Sequence, residues 1–576
     1  MLKLMRYLKP YWIPVSAVVV VVFLQSMGDL YLPTLMSNIV NKGITNGDIP
    51  YILSTGLEMI LVAIGGSICA VIASYLSSHV AMGFGEDLRS GIFSRVSRFS
   101  LHEFDRFGTP SLVTRSTNDV VQVQNVVMMT QRMMIAAPIT AVGGMILALQ
   151  KDKGLAWIII VAIPVLGIFI GTVAAKGFPL FQAIQKKIDR INLVVRENLT
   201  GIRVIRAFNR GEYEKKRFNE ASYDLLVASV KVNRIFAMMM PVMMLIMNMT
   251  VISILWFGSH RIDSGVSNIG NMMAFLQYAM QILFSFVMAS IMFIMVPRAQ
   301  ASADRINEVL DTHPDLVDPI NPQTPDPSVR GYLEFRDVSF SYFGAEAPAL
   351  QNISFVAKPG ETTAIIGSTG SGKSTLVSLI PRFYDVASGK ILVDGVDIRD
   401  MTQKDLRSRI GFVPQKAVLF TGSVSENIRY GKDDATEEEV RHAAEVSQSL
   451  DFVTVMDKGF DSLISQGGTN VSGGQKQRLS IARALVKKPE IYVFDDSFSA
   501  LDFKTDSLLR AALHKETGNA TVIIVGQRVA TIMDSDRIIV LDEGRIAGMG
   551  THHELYASCP VYREIVESQL SEEEIA

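Results

Sequence analysis

The sequence has little cysteine, little net charge and few charged residues for its length. It contains two cysteines, Cys69 and Cys559, among 576 residues. This excludes a disulfide-rich extracellular fold, and we expect both thiols to stay reduced. The net charge of −2 gives no basic field, so we expect no nucleic-acid partner. Charged residues make up 19% and hydrophobic residues 48% of the chain, which is too apolar for a purely soluble protein and long enough for at least two domains.

Long apolar runs are concentrated in the first half of the chain. Each of these runs is close to the ~20 residues that cross a bilayer as a helix. The predicted spans are Ile13–Met36, Leu53–Ser77, Val127–Leu149, Leu155–Ala175, Ile235–Phe257 and Ile269–Pro297. The segment Met1–Met27 begins like a signal peptide, but further apolar runs follow it. We therefore expect a short interfacial helix that leads into an uncleaved first span.

The loops between these spans differ in length and charge. The two longest, Gly85–Asn125 and Lys176–Arg234, are rich in lysine and arginine, whereas Gln150–Gly154 and Ser259–Asn268 are short. The positive-inside rule therefore predicts a multi-pass plasma-membrane protein with both termini and both long loops in the cytoplasm. The long loops also have few helix breakers, so we expect them to extend the spanning helices into the cytoplasm.

A proline-rich stretch separates the apolar half from the rest. Residues 311–331 contain five prolines, at positions 314, 319, 322, 325 and 327, among acidic and polar residues. Such a composition predicts a stiff, non-helical linker. The predicted domains are a transmembrane domain at residues 1–315, a linker at 316–330 and a soluble α/β domain at 331–576.

A phosphate-binding motif opens the soluble domain. After the strand-like run Thr362–Ile366, residues 367–374 read G-S-T-G-S-G-K-S, which matches G-x-x-x-x-G-K-[ST]. Backbone N–H groups and a helix N-terminus would surround the phosphates of ATP, with Lys373 on the β and γ phosphates and Ser374 on Mg²⁺. The residues expected to bind nucleotide are Gly367, Ser368, Thr369, Gly370, Ser371, Gly372, Lys373, Ser374 and Thr375.

A carboxylate follows a second strand-like run. Ile491–Phe494 is apolar and ends at Asp495. A carboxylate at the end of a buried strand beside a phosphate loop is placed to hold Mg²⁺, either as a direct ligand or through a water molecule. Asp495 alone is weak evidence for a Mg²⁺ site. Together with the phosphate loop upstream of it, it indicates such a site strongly.

A serine–glycine–glycine–glutamine sequence stands between these two motifs. Ser472, Gly473, Gly474 and Gln475 precede a helix-forming segment and are expected to form a second anion site at its start. This sequence resembles the signature of the ATP-binding cassette family. The resemblance implies that the signature contacts ATP bound by a partner chain, so that two ATP molecules lie in a dimer interface.

Further segments resemble the same family in the same order. Tyr342 resembles the aromatic residue that stacks on adenine, with an ordinary strand tyrosine as the alternative. Gln415 resembles the glutamine that contacts Mg²⁺ and senses the membrane domain, and Asp502 ends the Ser499–Asp502 loop that crosses to the partner site.

The resemblance extends over the membrane half. The segments at 104–115 and 196–208 look like the intracellular loops whose short coupling helices dock on the ATPase. The resemblance therefore implies a six-helix, all-α transmembrane domain of the exporter type, followed by an α/β P-loop ATPase domain.

Two positions depart from the family pattern. Asp496 stands where the family has the glutamate that polarises the attacking water, and Gln527 stands where it has a histidine. A carboxylate one methylene shorter recedes by about 1 Å, which can lower a rate by about 10²-fold. A glutamine cannot carry a positive charge or shuttle a proton. The chain therefore resembles the degenerate-site half of bacterial heterodimeric multidrug exporters, with a partner that supplies the missing glutamate and histidine.

The membrane half gives weaker indications of a substrate. Methionine is dense in the predicted spans and suits promiscuous binding surfaces, although it also serves as packing filler. Asp29 lies inside the first span, where a carboxylate usually faces a water-filled cavity. It either meets cationic substrates or accepts hydrogen bonds from a neighbouring helix.

The expected function is ATP-driven export of amphipathic small molecules. A lipid or peptide exporter, a homodimeric exporter and a gated channel remain as alternatives, whereas the six predicted spans exclude a soluble ATPase of repair or translation.

Overall fold

The computed structural model describes residues 1–570, except for the side chains at positions 178, 181, 182, 291, 293 and 294. The chain divides into two compact units. One comprises Met1–Ser97 and Thr109–Thr312, and the other comprises Arg98–Gly108 and the described part of His313–Ala576. The second unit thus includes a short segment that lies within the membrane half of the sequence.

Helices form nearly all of the first half of the chain. A 3₁₀ helix, Leu2–Tyr11, precedes them. The α-helices are α1 (Trp12–Asn38), α2 (Ile49–Val96), α3 (Leu101–Phe107), α4 (Thr109–Thr114), α5 (Val120–Met129), α6 (Ile135–Lys151), α7 (Ala156–Thr200), α8 (Ile202–Ala207), α9 (Gly211–Ala237), α10 (Met239–Asp263) and α11 (Ile269–Asp311). Of these, α3 belongs to the second unit.

Among the described residues, six stretches are long and apolar enough to cross a membrane, as predicted. They are Leu2–Ile44, Ile49–Val96, Thr109–Lys151, Ala156–Gly177, Gly211–Asp263 and Ile269–Asp311. The predicted helical extensions are also present, because α2 has 48 residues and α7 has 45, far more than the ~20 that a bilayer needs. The sequence did not predict the single π-helical turns at Arg115–Asp119 and Thr130–Met134, which interrupt the third span.

Apolar contacts among α1, α6, α7, α10 and α11 form the core of the first unit. Leu30, Leu155, Ile254, Phe275 and Tyr278 are buried together there. The Tyr278 hydroxyl lies 2.5 Å from Thr34 Oγ1, which satisfies a polar group among apolar neighbours.

A buried carboxylate ties the third span to the sixth. Asp119 accepts hydrogen bonds from Arg305 Nε at 2.8 Å and from Ser302 Oγ at 3.0 Å. Its side chain is 4% exposed. Charge-assisted bonds of this kind are about twice as strong as neutral ones.

Twelve strands and ten further helices are described in the second unit. The strands are β1 (Leu333–Phe340), β2 (Leu350–Ala357), β3 (Thr362–Gly367), β4 (Ser388–Val393), β5 (Val396–Asp397), β6 (Ile410–Val413), β7 (Gly422–Ser423), β8 (Leu463–Ile464), β9 (Ile491–Asp495), β10 (Thr521–Val525), β11 (Arg537–Asp542) and β12 (Arg545–Gly550). The helices are α12 (Lys373–Leu379), α13 (Gln403–Ser408), α14 (Val424–Arg429), α15 (Glu437–Val446), α16 (Leu450–Val455), α17 (Gly473–Val486), α18 (Phe503–Glu516), α19 (Val529–Ile532), α20 (His552–Ser558) and α21 (Pro560–Glu567).

The strands form two main sheets. A six-stranded sheet has the order β12-β11-β3-β10-β9-β6, and all its pairs are parallel except β11 with β12. An antiparallel sheet has the order β2-β1-β4-β5. The parallel strands β9 and β10 are buried at every residue, as expected for a sheet covered on both faces.

Residues 312–332 contain no helix or strand, as the prolines predict. This segment packs within the second unit. The N–H of Gln403 donates to Asp318 Oδ1 at 2.9 Å, and the N–H of Gln323 donates to the Asp400 carbonyl at 2.8 Å. Both cysteines are free thiols.

The buried Asp119 carboxylate and its half-exposed partner Arg305 should contribute to the stability of the first unit. We expect Asp119→Ala to destabilise the full chain by about 1–2 kcal/mol, since it removes the charge-assisted hydrogen bonds that the carboxylate accepts. Glu212→Ala is the matched control because both side chains of its pair with Lys215 are exposed and such pairs contribute little. Thermal unfolding in detergent measures both, and equal shifts for the two variants would contradict the assignment.

Candidate nucleotide site

Parallel pairing brings the ends of three strands to one edge of the large sheet. Val525 on β10 is aligned with Ile365 on β3 and with Asp495 on β9. The segments that follow these strands therefore start side by side. They contain the phosphate loop, the Asp495–Asp496 pair and Gln527, all of which the sequence singled out.

The backbone of the phosphate loop requires glycine at position 372. Gly372 has a φ of +98°, a left-handed conformation that side chains disfavour. A Cβ at this position would lie 2.8 Å from Leu350 Cδ2 and 2.9 Å from the Ala349 carbonyl oxygen. Beside it, Ser371 Oγ is buried and has no hydrogen-bond partner among the described residues. Such a backbone nest with an unmatched buried hydroxyl fits the phosphates of ATP.

Lys373 lies across this loop at the start of α12. Its ammonium donates to the carbonyl oxygens of Gly367 and Ser368, each at 2.8 Å. Burial lowers the pKa of Lys373, while the nearby carboxylates of Asp496 and Asp495 act in the opposite direction. The loop thus presents one fixed cation beside the glycine amides, which suits the terminal phosphates.

Ser374 and Asp495 form the predicted metal-binding pair. Ser374 Oγ donates to Asp495 Oδ1 at 3.0 Å. Burial raises the pKa of Asp495, partly offset by the hydrogen bond from Ser374. Hydroxyl and carboxylate oxygens are the donors that Mg²⁺ prefers, so these residues fit the ion. Bound Mg²⁺ neutralises phosphate charge during phosphoryl transfer.

Asp496 forms hydrogen bonds with the two predicted glutamines, Gln415 and Gln527. Its Oδ2 accepts hydrogen bonds from Gln415 Nε2 at 3.1 Å and from Gln527 Nε2 at 2.7 Å. The backbone of Asp496 is left-handed, with a φ of +46°, and its N–H donates to the Val525 carbonyl at 3.1 Å. Two amide groups therefore hold one oxygen of the carboxylate at the edge of the sheet.

Tyr342 lies two residues beyond the end of β1, so it is not a strand tyrosine. Its hydroxyl is 2.9 Å from Thr375 Oγ1, in the first turn of α12. The ring is 41% exposed and stacks edge-on against Phe340 and Tyr384. An aromatic ring next to the phosphate loop fits the stacking on adenine that the family resemblance implies, and this contact stays a prediction.

The signature residues form the N-terminus of α17 rather than part of the phosphate loop. Ser472 Oγ accepts from the N–H of Gln475 at 3.2 Å, and Gln475 Oε1 accepts from the N–H of Ser472 at 2.9 Å. This is a capping box, which the S-x-x-Q spacing could have revealed. A Cβ on Gly474 would lie 3.2 Å from the Ala500 carbonyl, so the signature adjoins the Ser499–Asp502 loop.

Asp502 also caps a helix. Its carboxylate accepts from the N–H of Thr505 at 3.0 Å at the start of α18, and this bond lowers the pKa of Asp502. The structure thus assigns Asp502 a local structural contact, and its contact with nucleotide stays a prediction.

A separate cavity of about 680 Å³ lies within the first unit. Its polar wall includes Asp29 on α1, Arg132 in the π-helical turn and Gln281 on α11, and Met128, Met129, Met133 and Met288 contribute to its apolar wall. Gln281 donates to the backbone carbonyl of Asp29 at 3.2 Å. Among residues 1–570, the structure gives the Asp29 carboxylate no hydrogen-bond or ion-pair partner.

Family models and related proteins match both the membrane half and the nucleotide-binding half of the chain. Residues 15–286 match the family model of the ABC transporter transmembrane region, and residues 350–499 match the ABC transporter family model. An uncharacterised ABC transporter ATP-binding protein of Mycobacterium tuberculosis is 44% identical over 98% of this chain and 97% of its own length. An ATP-dependent lipid A-core flippase of Hahella chejuensis is 33% identical over 88% of this chain and 86% of its own.

A solved structure shares both halves. The ATP-bound structure of a bacterial Atm1-family ABC exporter is 26% identical, with a TM-score of 0.81, and the match covers 97% of this chain and 98% of that one. Exporters of this family join a membrane region to an ATPase that binds ATP, typically with Mg²⁺, hydrolyse the ATP to drive transport, and work as dimers. The chain belongs to the ATP-binding cassette family and is one half of an ABC exporter, with its membrane region and its ATPase on one polypeptide.

Proposed function

We propose that this half-exporter is the degenerate-site subunit of a heterodimer that exports amphipathic small molecules. Its own site binds ATP through the phosphate loop and hydrolyses it slowly. Its intact signature, Ser472–Gln475, serves the ATP bound by a second, catalytically competent half.

The observation that carries this proposal is the state of Asp496. A catalytic carboxylate must accept a hydrogen bond from the attacking water. Here one oxygen of the shortened side chain already accepts from two amides, those of Gln415 and Gln527. Gln527 adds a hydrogen-bond donor where a histidine would add a charge, so the water is poorly activated on both counts.

Symmetry supports a heterodimer over a homodimer. Two copies of this chain would form two poor sites. A partner with glutamate and histidine would restore one complete site, because the signature at the start of α17 is unaltered here.

The membrane cavity supports an amphipathic substrate. It combines methionine side chains with the Asp29 carboxylate and the Arg132 guanidinium, and such a site suits flexible amphipathic compounds that carry a charged group. Lipid export is the second candidate, favoured by the likeness to a lipid A-core flippase. The basic long loops support a plasma-membrane protein with both termini and the ATPase in the cytoplasm.

Nucleotide binding at this site should depend on Lys373. We expect Lys373→Ala to abolish measurable ATP binding, since the phosphates lose their one fixed cation. Lys358→Ala, at an exposed position outside the loop, is the matched control and should bind normally. Photolabelling of the full chain by an ATP analogue distinguishes them. Undiminished labelling of Lys373→Ala would show that the phosphate loop is assigned wrongly.

The two nucleotide sites of the heterodimer should hydrolyse ATP at different rates, with this chain's own site the slower one. The purified chain should bind ATP but turn over about 100-fold more slowly than an ordinary exporter. Asp496→Glu should raise this rate only modestly, because Gln527 remains. Steady-state ATPase assays measure both, and fast turnover by the isolated chain would favour a homodimer.

In the assembled exporter, the signature should control the partner's site. Ser472→Ala with Gly474→Asp should stop turnover of the complex, although these residues do not belong to this chain's phosphate loop. Thr436→Ala is the matched control, because it removes an equivalent capping box from α15 and should leave ATPase activity near that of the unmodified complex. Equal losses in the two variants would indicate a folding effect instead.

Transport should depend on the charge of Asp29 if the carboxylate contacts substrate. We expect Asp29→Asn to reduce export of cationic dyes several-fold more than export of neutral dyes, measured in everted vesicles. Asp263→Asn, at the exposed end of α10, controls for the loss of a carboxylate. Equal reductions for both dye classes would favour a packing role.

A further inference from the structure

Another cavity, in the ATPase unit, lies beside Tyr342 and has a volume of about 640 Å³. Its wall combines aromatic rings of β1 and the loop after it with Tyr384, the start of the linker and helix α3. Phe343 in this wall is 86% exposed. The volume lies in the usual range of small-molecule pockets, about 300–1,000 Å³.

Helix α3 is fixed in this wall by several contacts. A capping box joins Ser100 and Glu103 at its start. Glu103 Oε1 also accepts from the N–H of Asp315 at 3.1 Å, and His102 Nδ1 is 2.5 Å from Asp315 Oδ2. The His102 ring lies 4.9 Å from the ring of Phe343. The side chains of α3 therefore have defined positions in the cavity wall.

The cavity continues the nucleotide site. The Tyr342 hydroxyl is 2.9 Å from Thr375 Oγ1, one residue beyond the metal-binding Ser374. A nucleotide with its phosphates on the loop would therefore reach Tyr342 with its base, and the cavity is the space on that side of the ring.

The carboxylates of the cavity differ in the number and length of their hydrogen bonds and in whether a cation pairs with them. Asp385 is held by two bonds from Arg382, at 2.7 and 3.1 Å, and Asp315 is held by His102. Asp105 has only a long contact, 3.5 Å, from the Tyr384 hydroxyl, and among residues 1–570 it pairs with no cation. Burial and the neighbouring Asp105 raise the pKa of Tyr384 to about 12, so that hydroxyl stays a donor.

We propose that Asp105 reads the nucleobase, by accepting a hydrogen bond from the exocyclic amino group of adenine stacked on Tyr342. The inference rests on the proposed nucleotide site and adds a specificity-determining residue to it. A carboxylate only accepts hydrogen bonds, so it favours a base that presents an amino group over one without it. Because α3 lies in the chain between α2 and the third span, the residue that contacts the base is covalently continuous with the membrane helices.

The test compares ATP with purine riboside 5′-triphosphate, which lacks the 6-amino group. Both affinities are measured on the full chain in detergent by calorimetry. The unmodified chain should prefer ATP by about tenfold, the value of one charge-assisted hydrogen bond at a partly exposed site. Asp105→Ala should abolish this preference by weakening ATP alone. Asp105→Asn should keep part of it, since the amide oxygen still accepts.

The controls separate this inference from the nucleotide site itself. Unchanged affinity of Asp105→Ala for purine riboside triphosphate shows that the variant is folded, and Asp385→Asn should keep the full preference for ATP. A wild-type chain that binds both nucleotides equally, or an Asp105→Ala variant that keeps the preference, overturns the inference and leaves the phosphate site intact. Failure of the wild-type chain to bind either nucleotide overturns both.

Discussion

The nucleotide site depends on the parallel pairing of β3, β10 and β9. Parallel strands end at the same edge of a sheet, and here the register aligns Ile365, Val525 and Asp495 within one row. A shift of one residue would turn Asp495 to the other face and separate it from Ser374. β9 and β10 are buried at every residue, so a shift of one residue would move an apolar side chain out of the core at one strand end and draw a polar residue into it at the other. The chemistry at the edge is therefore held by the apolar core below it.

Within that edge, the side chain of Asp496 links three segments that are distant in sequence. Its two amide partners come from the segments just after β6 and β10, and its own backbone N–H bonds to Val525. The left-handed backbone at Asp496 is costly for a residue with a Cβ, although aspartate tolerates it better than most. The hydrogen bonds around it help to maintain this conformation. An arrangement that stabilises the carboxylate in this way also leaves it less available to a water molecule.

Sequence alone predicted most of this architecture but not its side-chain contacts. Six long apolar runs and a phosphate-loop motif are strong local signals, so the spans and the position of Lys373 could be read directly. The π-helical turns in the third span have no such signal, because they depend on how neighbouring helices pack. The contact of Asp105 with Tyr384 joins residues 279 positions apart, and no local pattern indicates it. The capping box at Ser472 has a local signal, because the S-x-x-Q spacing is typical of this cap.

Ser472 can cap α17 and bind an anion at the same time. A serine hydroxyl has one hydrogen to donate and two lone pairs to accept with. The capping box uses Ser472 Oγ as an acceptor for the N–H of Gln475, which leaves its hydrogen free to point towards an anion. The first N–H groups of α17 also have no partner within the helix. The cap therefore fixes the rotamer of Ser472 before any phosphate arrives, and a partner's ATP would meet a hydroxyl and backbone amides that are already oriented.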